Sequence, residues 1–287
     1  MPHRSRHGVQ SNMPPHSPEP PFRPSAPRHL CELPKKDYWA TPFAEILLTQ
    51  LDLLPGATIL DVMCGEGIPA FYLANRVGPS GRVVAIDINE VQLIRARAFQ
   101  GPHFPWLEFR SGDARNLSND LGQFDRITGN LAFMFFRPDR RAALQQLVMF
   151  LKPGGQIVLT YPSRGTFESL WQRIDEEMRR RGLTKERQAL ANYISERPYA
   201  ENARQWLIES GLKKVDVIEW PLVVETGAGI EFLQHPLLRA GFLDDVFECF
   251  TDQGLAEEFM QSISQNIDSF VPLVAQRCVM SGWRPTG

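Results

Sequence analysis

The sequence has few side chains that could hold a metal ion. Beyond residue 29 it contains two histidines, His103 and His235. Its cysteines are isolated from one another, with none of the close pairs of a zinc or redox motif. They are Cys31, Cys64, Cys249 and Cys278. The chain is therefore expected to carry no metal centre, and its thiols fit the reduced state of cytoplasmic proteins.

Long apolar runs and a surplus of basic charge are also absent. No stretch approaches the roughly 20 apolar residues of a membrane-spanning helix, and no apolar signal segment stands at the N-terminus. The 287 residues include 31 Lys and Arg against 33 Asp and Glu, a net charge of −2. Proteins that bind nucleic acid usually have more basic than acidic residues. These absences favour a cytoplasmic protein with no membrane span and no nucleic-acid partner.

The composition divides the chain at about residue 34. Residues 1–34 are rich in Pro, His, Ser and Arg and poor in aliphatic side chains. Such a segment cannot bury enough surface to offset its ordering entropy, so it is predicted to be a disordered tail. Residues 35–287 have ordinary globular composition and are predicted to form one domain.

The domain contains a regular alternation of short apolar strands and helices. The predicted strands cover 57–62, 82–87, 106–110, 124–129, 156–161, 213–224 and 271–283. The first predicted helix, 41–54, has Thr41 as its N-cap and Pro42 at its first helical position. Asn89 is expected to cap a later helix and Pro138 to open another. Apolar strands separated by helices indicate an α/β fold, with a doubly wound, mostly parallel seven-stranded sheet covered on both faces.

The stretch LDVMCGEGIPA, residues 60–70, ends a strand on a glycine-rich turn. GEGIPA fits the pattern G-x-G-x-x-A, in which Gly65 and Gly67 let the backbone turn sharply and approach a ligand. Asp87 follows Gly65 by 22 residues, at the end of the next strand, where a carboxylate can accept hydrogen bonds from ribose hydroxyls. This combination predicts either a dinucleotide or an adenosine that carries an amino acid.

Two further acids separate these cofactor classes. Asp61 lies inside the strand end, four residues before Gly65. A carboxylate there would repel a pyrophosphate but suits the ammonium of a methionyl group. Asp113, in SGDARNL after the third strand, is placed to meet an adenine edge. These residues favour S-adenosylmethionine, and an NAD(P)-dependent oxidoreductase stays as the alternative.

Five motifs in order carry a resemblance to a known family. LDVMCGEG, VVAIDIN, SGDARNL, FDRITGN and LKPGGQIVL, within residues 40–161, resemble those of class I S-adenosylmethionine-dependent methyltransferases. VGPSGRVVAIDINEVQL is particularly similar to the quinone-biosynthesis C-methyltransferases and their small-molecule relatives. NLAFMFFRP does not reproduce the quinone family's segment, so its substrate does not carry over. The resemblance implies a Rossmann-like methyltransferase fold, S-adenosylmethionine as cofactor, S-adenosylhomocysteine as product, and a small, partly apolar acceptor.

The resemblance also implies roles for residues around the adenosine. Asp87 would hold the ribose diol, and Ile88 would pack on the adenine. Asp113 would accept a hydrogen bond from the adenine amino group, with Ala114 beside it. Because Asp also caps helices, capping is the competing interpretation of Asp87 and Asp113.

Around the methionyl group, Asp61 would face the amino group, directly or through water. Cys64 and Gly65 would line the methionyl portion by their backbone. Asn130, which ends the fourth strand, would lie below the methionyl group and face the acceptor. Met63 is a departure, because the family usually has a glycine or another small residue at this place.

The acceptor is expected beyond the carboxyl ends of the strands, as in other open α/β sheets. In the family pattern, helical segments near 162–198 and 227–268 would form a lid over this region. The predicted lining residues are Tyr38, Phe133, Phe135, Tyr161 and His235. Methyl transfer needs a general base only when the acceptor must lose a proton early. No catalytic base is predicted, although Tyr161 and His235 are candidates.

Two other functions remain open. A longer side chain at Met63 could have degraded the site, which would leave a non-catalytic S-adenosylmethionine-binding protein. A nucleic-acid methyltransferase is disfavoured, because TGNLAF lacks the Asn-Pro-Pro-aromatic stretch of amino-methylating DNA enzymes and the charge does not support it.

Overall fold

The computed structural model of the chain describes residues 39–224, 230–239, 242–265 and 272–287. The tail predicted for 1–34 and the predicted acceptor residue Tyr38 lie outside the described residues, as do parts of the 227–268 segment. In the described ranges no helix is both long and apolar enough to cross a membrane.

Helices and strands alternate along the chain. Their bounds are α1 Ala40–Gln50, β1 Thr58–Val62, α2 Ala70–Val77, β2 Arg82–Asp87, α3 Glu90–Gln100, β3 Leu107–Ser111, β4 Phe124–Gly129, α4 Arg140–Met149, β5 Leu151–Pro162, α5 Glu168–Arg180, α6 Thr184–Ser195, α7 Ala200–Glu209, β6 Lys213–Val224, α8 Ile230–Leu233, α9 Pro236–Arg239, α10 Leu243–Glu248, α11 Gln253–Gln265 and β7 Leu273–Trp283.

The strands form one sheet in the order β3-β2-β1-β4-β5-β7-β6. β1 pairs in parallel with β2 on one side and with β4 on the other, and β4 pairs in parallel with β5. β7 runs antiparallel between β5 and β6. The predicted doubly wound, mostly parallel seven-stranded sheet is therefore confirmed. The strand order reverses between β1 and β4, and ligands of open α/β sheets bind at the carboxyl ends of the strands at such a point.

Each face of the sheet is covered by its own apolar cluster, because successive residues of a strand point to opposite faces. On β1, Leu60 and Val62 belong to one cluster, together with residues of α4 and α7. Ile59 belongs to the other, together with residues of α1, α2 and α3. All three strand residues are fully buried. This burial on both faces explains why the strands read as uninterrupted apolar runs, and it fixes the strand ends that carry the site.

A third apolar cluster lies in the helical segments near 162–198 and 227–268. It joins α5, α6, α10 and α11 to Val224 at the end of β6 and to Leu273 at the start of β7. Trp39, directly before α1, stacks 6.1 Å from Phe167 and packs edge-on 5.5 Å from Phe242. Because β6 runs parallel to β5 through the shared neighbour β7, these helices lie at the same edge of the sheet as the carboxyl ends of the parallel strands.

The start of α1 differs from the prediction. The helix begins at Ala40, and Trp39 occupies the N-cap position without a side-chain cap bond. The prediction of Thr41 as N-cap is therefore wrong. The Trp39 ring packs edge-on against Phe43 at 4.7 Å, so tertiary packing holds this first turn in place of a hydroxyl cap.

Two other helix starts are set by short polar side chains. The cap at Asn89 is confirmed, since its side chain accepts hydrogen bonds from two N–H groups in the first turn of α3. The α4 helix is capped by Asp139, whose carboxylate accepts from the Ala142 N–H at 2.9 Å. The helix begins at Arg140, the first residue of the predicted helical run, and Pro138 lies two residues before it. Asp139 is the cap, because its carboxylate can accept from a first-turn N–H and proline has no side-chain acceptor.

Candidate functional site

A cavity of about 1050 Å³ opens at the carboxyl ends of β1, β2 and β4. Its walls come from the glycine turn after β1, the start of α3 and the loops after β3 and β4. Most of the predicted cofactor residues meet in these walls. They are Cys64, Gly65, Asp87, Ile88, Asp113, Ala114 and Asn130. The size and position are those of a small-molecule or cofactor site at a topological switch point.

The glycine turn needs both of its glycines. Gly65 has φ of +55° and Gly67 has φ of +98°, a region that side-chain-bearing residues rarely adopt. A Cβ at Gly65 would lie 2.9 Å from Gln92 Oε1, and one at Gly67 would lie 2.5 Å from Phe71 Cε2. Gly65 lines the cavity, whereas Gly67 lets the turn pack against the fully buried Phe71 ring.

Replacing Gly67 by alanine is expected to lower the free energy of unfolding by about 3 kcal/mol, from left-handed strain together with overpacking. Gly78 is the matched control, since its φ is +69° and a Cβ there would meet no atom of the described residues within 4 Å. Gly78→Ala should cost only about 1 kcal/mol. Urea unfolding of both variants measures the difference. Equal losses would show that packing against Phe71 is not what requires a glycine.

Asp87 ties the end of β2 to the glycine turn. Its Oδ2 accepts a hydrogen bond from the Gly65 N–H at 2.8 Å, and its Oδ1 accepts from the Asn89 N–H at 2.8 Å. Each carboxylate oxygen can accept a second hydrogen bond, and Asp87 lines the cavity. Ile88, the next residue, is 68% exposed and also lines it. The carboxylate and the exposed isoleucine together suit a ribose and its attached base.

Asp113 is held by an arginine that the sequence analysis did not identify. The Arg115 guanidinium donates to both of its carboxylate oxygens, with Nε 3.0 Å from Oδ1 and Nη2 2.8 Å from Oδ2. These hydrogen bonds hold the pKa of Asp113 below its ordinary value. Arg115 and the buried Ala114 both line the cavity. The carboxylate therefore stays ionised and oriented at the adenine end that the resemblance implies.

Asp61 lies near the end of β1, is fully buried and is not among the residues that line the cavity. Its Oδ1 accepts a hydrogen bond from the Thr128 hydroxyl at 2.6 Å, while its Oδ2 has no hydrogen-bond partner among the described residues. Burial raises the pKa of Asp61 to about 7, and the neighbouring charge of Asp87 adds to the rise. An unpaired buried carboxylate oxygen is costly, so this position fits a cationic group or a water that such a group holds.

Met63 and Cys64 connect Asp61 to the cavity wall. Met63 has φ of +54°, a left-handed conformation that favours glycine over a residue with a side chain. Its side chain lines the cavity. Cys64 also lines it, and burial raises the pKa of its thiol, so Cys64 stays a protonated wall residue.

The predicted acceptor residues are only partly brought to the cavity. Phe135 lines it and is 53% exposed. Phe133 and Tyr161 instead pack in the core, where both are fully buried and their ring centroids lie 5.0 Å apart. His235 is not part of the described cavity wall. Burial raises the pKa of Tyr161, and its hydroxyl lies 3.4 Å from the Tyr199 carbonyl oxygen. Tyr161 is therefore a core residue rather than an acceptor contact or a base.

Two lining residues on α3 were also missed from the sequence. Arg95 forms an ion pair with Glu66 at 2.8 Å, and Gln92 lies one turn before it. Gln92 and Arg95 share a helix face at the i, i+3 spacing. That spacing, directly after the Asn89 cap, is the signal that could have identified them.

The groups around the cavity fit an adenosine that carries a cationic amino acid. Asp87, Asp113 and the exposed Ile88 line the cavity, whereas Asp61, with its unpaired oxygen, is buried behind the wall and close enough to Asp87 to feel its charge. A dinucleotide would place a pyrophosphate close to Asp61 and Asp87, two acids of the same sign as its own charge. These carboxylates therefore fit S-adenosylmethionine better than NAD(P).

Comparison with known proteins agrees with this geometry. A family model described as "Methyltransferase domain" matches residues 59–155. The chain is 38% identical over 123 residues to nocamycin O-methyltransferase of Saccharothrix syringae, covering 42% of this chain and 43% of that protein. It is 36% identical over 114 residues to demethylmenaquinone methyltransferase of Lactococcus lactis subsp. lactis (strain IL1403), covering 39% of this chain and 45% of that protein. The match thus spans less than half the length of these curated relatives.

A solved structure extends the likeness of the fold beyond the matched segment. Phosphoethanolamine N-methyltransferase 2 of Haemonchus contortus, in complex with phosphomonomethylethanolamine and S-adenosylhomocysteine, gives a TM-score of 0.53 at 14% identity. The alignment covers 84% of this chain and 52% of that one. Residues 59–155, which match the family model, also hold the glycine turn, Asp87, Asp113 and Asn130. Residues 59–155 therefore match a methyltransferase domain, and the chain has the motifs and the sheet topology of class I S-adenosylmethionine-dependent methyltransferases.

Proposed function

We propose that the chain binds S-adenosylmethionine in this cavity and transfers its methyl group to a small, partly apolar acceptor. The observation that carries the proposal is the buried Asp61 carboxyl, whose Oδ2 has no hydrogen-bond partner in the described part of the chain. The ammonium of a methionyl group would satisfy this oxygen, whereas a pyrophosphate would be repelled by it. Names of the matched relatives, which include two methyltransferases, support the same reaction.

The chain's residues bind and orient the reactants. Asp87 would hold the ribose and Asp113 the adenine amino group, and Cys64 and Gly65 would line the methionyl portion. When bound, S-adenosylmethionine supplies a sulfonium-activated methyl group, whose carbon–sulfur bond breaks as a lone pair of the acceptor forms the new bond, leaving S-adenosylhomocysteine. The protein's contribution is an in-line arrangement in surroundings that exclude water.

The acceptor end of the cavity is apolar. Ala40, Ile68, Leu131 and Phe135 contribute apolar surface to the walls. An aromatic side chain that is more than half exposed beside a cavity offers area for an apolar ligand. The helices of the third apolar cluster would cover this end as a lid, since Trp39 packs among them and is followed directly by Ala40.

We also propose that the protein works in the cytoplasm, with its thiols reduced. Cys64, Cys249 and Cys278 are free thiols, and two of them are buried. Reduced, isolated cysteines of this kind are usual in cytoplasmic proteins.

Calorimetric titration with S-adenosylmethionine, and separately with S-adenosylhomocysteine, tests the proposal. We expect micromolar binding of both and no heat with NADH. Release of S-adenosylhomocysteine would then be measured with a quinol, a thiol and arsenite as acceptors. Binding of neither adenosyl ligand would overturn the proposal, and binding without turnover of any acceptor would favour a non-catalytic binding protein.

A further inference from the structure

Asn130 is hydrogen-bonded through both ends of its amide group. Its Oδ1 accepts from the Thr160 hydroxyl at 2.8 Å, and its Nδ2 donates to the Ala40 carbonyl oxygen at 2.8 Å. The Thr160 oxygen in turn accepts from the Leu131 N–H at 2.9 Å. A hydroxyl has a single hydrogen, and a backbone N–H can only donate. Because the Ala40 carbonyl oxygen can only accept, the amide nitrogen of Asn130 faces it, and the amide oxygen therefore takes the single hydrogen of Thr160. This chain of hydrogen bonds, from Leu131 through Thr160 and Asn130 to Ala40, is called the relay below.

The relay is built into the core. Thr160 is fully buried, and Asn130 is 7% exposed. Directly before it, a Cβ at Gly129 would lie 2.8 Å from the Ala132 Cβ, so the end of β4 is closely packed. Leu131 has φ of +55°, a left-handed conformation that is strained for a residue with a side chain. The bond from its N–H to Thr160 helps to hold that strained conformation.

The relay also reaches the functional cavity. Ala40, Asn130 and Leu131 all line it, and Ala40 is the first residue of α1. A second anchor of this helix, the bond from Arg277 Nη1 to the Pro42 carbonyl oxygen at 3.0 Å, comes from β7, which contributes nothing to the described cavity wall. Asn130 is thus an anchor that joins the start of α1 to the cavity wall.

We propose that Asn130 is a positioning residue of the methyl-transfer site, which acts through Ala40. By holding the first turn of α1 against the end of β4, it makes that turn one wall for the acceptor. The inference rests on the proposed function. Methyl transfer requires an in-line approach, and a displacement of a wall by about 1 Å lowers the rate far more than it weakens binding elsewhere in the cavity. Cofactor affinity should therefore be nearly independent of the relay.

Three variants separate the steps of the relay. Asn130→Asp keeps the shape and the bond from Thr160, but its carboxylate cannot donate to the Ala40 carbonyl. Thr160→Val removes the hydroxyl, and Thr160→Ser keeps it as the conservative rescue. The readouts are the dissociation constant of S-adenosylhomocysteine, hydrogen–deuterium exchange of residues 40–47 with that ligand bound, and the rate of methyl transfer to 1,4-naphthoquinol or to whichever tested acceptor turns over fastest.

For Asn130→Asp and Thr160→Val we expect hydrogen–deuterium exchange in residues 40–47 to become about tenfold faster and methyl transfer to become about tenfold slower. This is the scale of one lost buried hydrogen bond. The affinity of both variants for S-adenosylhomocysteine should stay within about threefold of wild type, and Thr160→Ser should behave as wild type. A double variant that combines Asn130→Asp with Thr160→Val should transfer methyl groups no more slowly than either single variant, because the two residues act in series.

The outcomes distinguish the two proposals. If the wild-type protein does not bind S-adenosylhomocysteine, the proposed function fails. If all variants bind it normally and exchange in residues 40–47 is unchanged, the role of Asn130 fails while the proposed function stands. If affinity falls as far as the rate does, Asn130 contacts the cofactor rather than acting through Ala40, and the inference is overturned.

Discussion

Replacing Asp87 by asparagine is expected to weaken S-adenosylhomocysteine binding by about 100-fold, because two ribose hydroxyls lose a charged acceptor and hydrogen bonds to charged groups contribute about 1.5–3 kcal/mol each. The change also reaches the glycine turn. Asn can accept from the Gly65 N–H or from the Asn89 N–H, but its amide has one oxygen where the carboxylate has two. We therefore also expect about 1–2 kcal/mol of lost stability. Calorimetry and urea unfolding measure the two effects.

Asp125 provides the matched control for Asp87. It lies near the start of β4, at the opposite edge of the sheet, and its Oδ2 accepts from the Thr58 N–H at 2.8 Å. It also pairs with Lys152 at 3.0 Å. Asp125→Asn should lower stability by a similar amount and leave ligand affinity unchanged. An Asp87→Asn protein that binds within about threefold of wild type would instead make Asp87 a structural cap, the role aspartate often has at helix starts.

The sheet could be predicted strand by strand because each strand is covered on both faces. The bounds of β2, β4 and β6 match the predicted ranges, since an apolar run flanked by turn residues marks such a strand clearly. Helix starts were less accurate. Thr41 has the right side chain for a cap, but Trp39 gains more by packing on Phe43, and single-residue patterns do not contain that tertiary contact.

The site could be predicted in part, for reasons that differ between its residues. Asp61, Asp87 and Asp113 occupy positions that motif spacing specifies. Motif spacing does not specify their hydrogen-bond partners. The bond from Arg115 to Asp113, for example, depends on the conformation of the loop after β3. Tyr161 is different, since it shares a strand face with Ile157 and Leu159 in the same core cluster. The two-residue period alone indicates a buried ring at that position.

The buried Asp61 gives the second large expectation, an increase of about tenfold in affinity for S-adenosylhomocysteine from about pH 5.5 to about pH 7. Its pKa of about 7 in the ligand-free protein means that the carboxyl is mainly protonated at the lower pH. Only the ionised form attracts the ligand's ammonium, which stays charged across this range. Binding therefore has to remove a proton, and it weakens as the pH falls. Affinity that is equal at both pH values would contradict a contact between Asp61 and the ammonium.

The same carboxyl should make the ligand-free protein less stable as the pH rises. Because the folded-state pKa lies above the unfolded value of 3.8, protonation of Asp61 stabilises the folded state fully below pH 3.8, and this stabilisation is lost as the pH rises towards about 7. Asp61→Asn removes that dependence and should raise the free energy of unfolding above pH 7 by on the order of 2 kcal/mol. It should weaken ligand binding at pH 7 and have a smaller effect at about pH 5.5, where the wild-type carboxyl is mainly protonated. Urea unfolding measures the change in stability of this variant, and calorimetry measures the change in its ligand affinity. A variant that loses stability and affinity together would make Asp61 a structural partner of Thr128, whereas opposite signs identify a carboxylate kept at a cost to the fold because the ligand requires its charge.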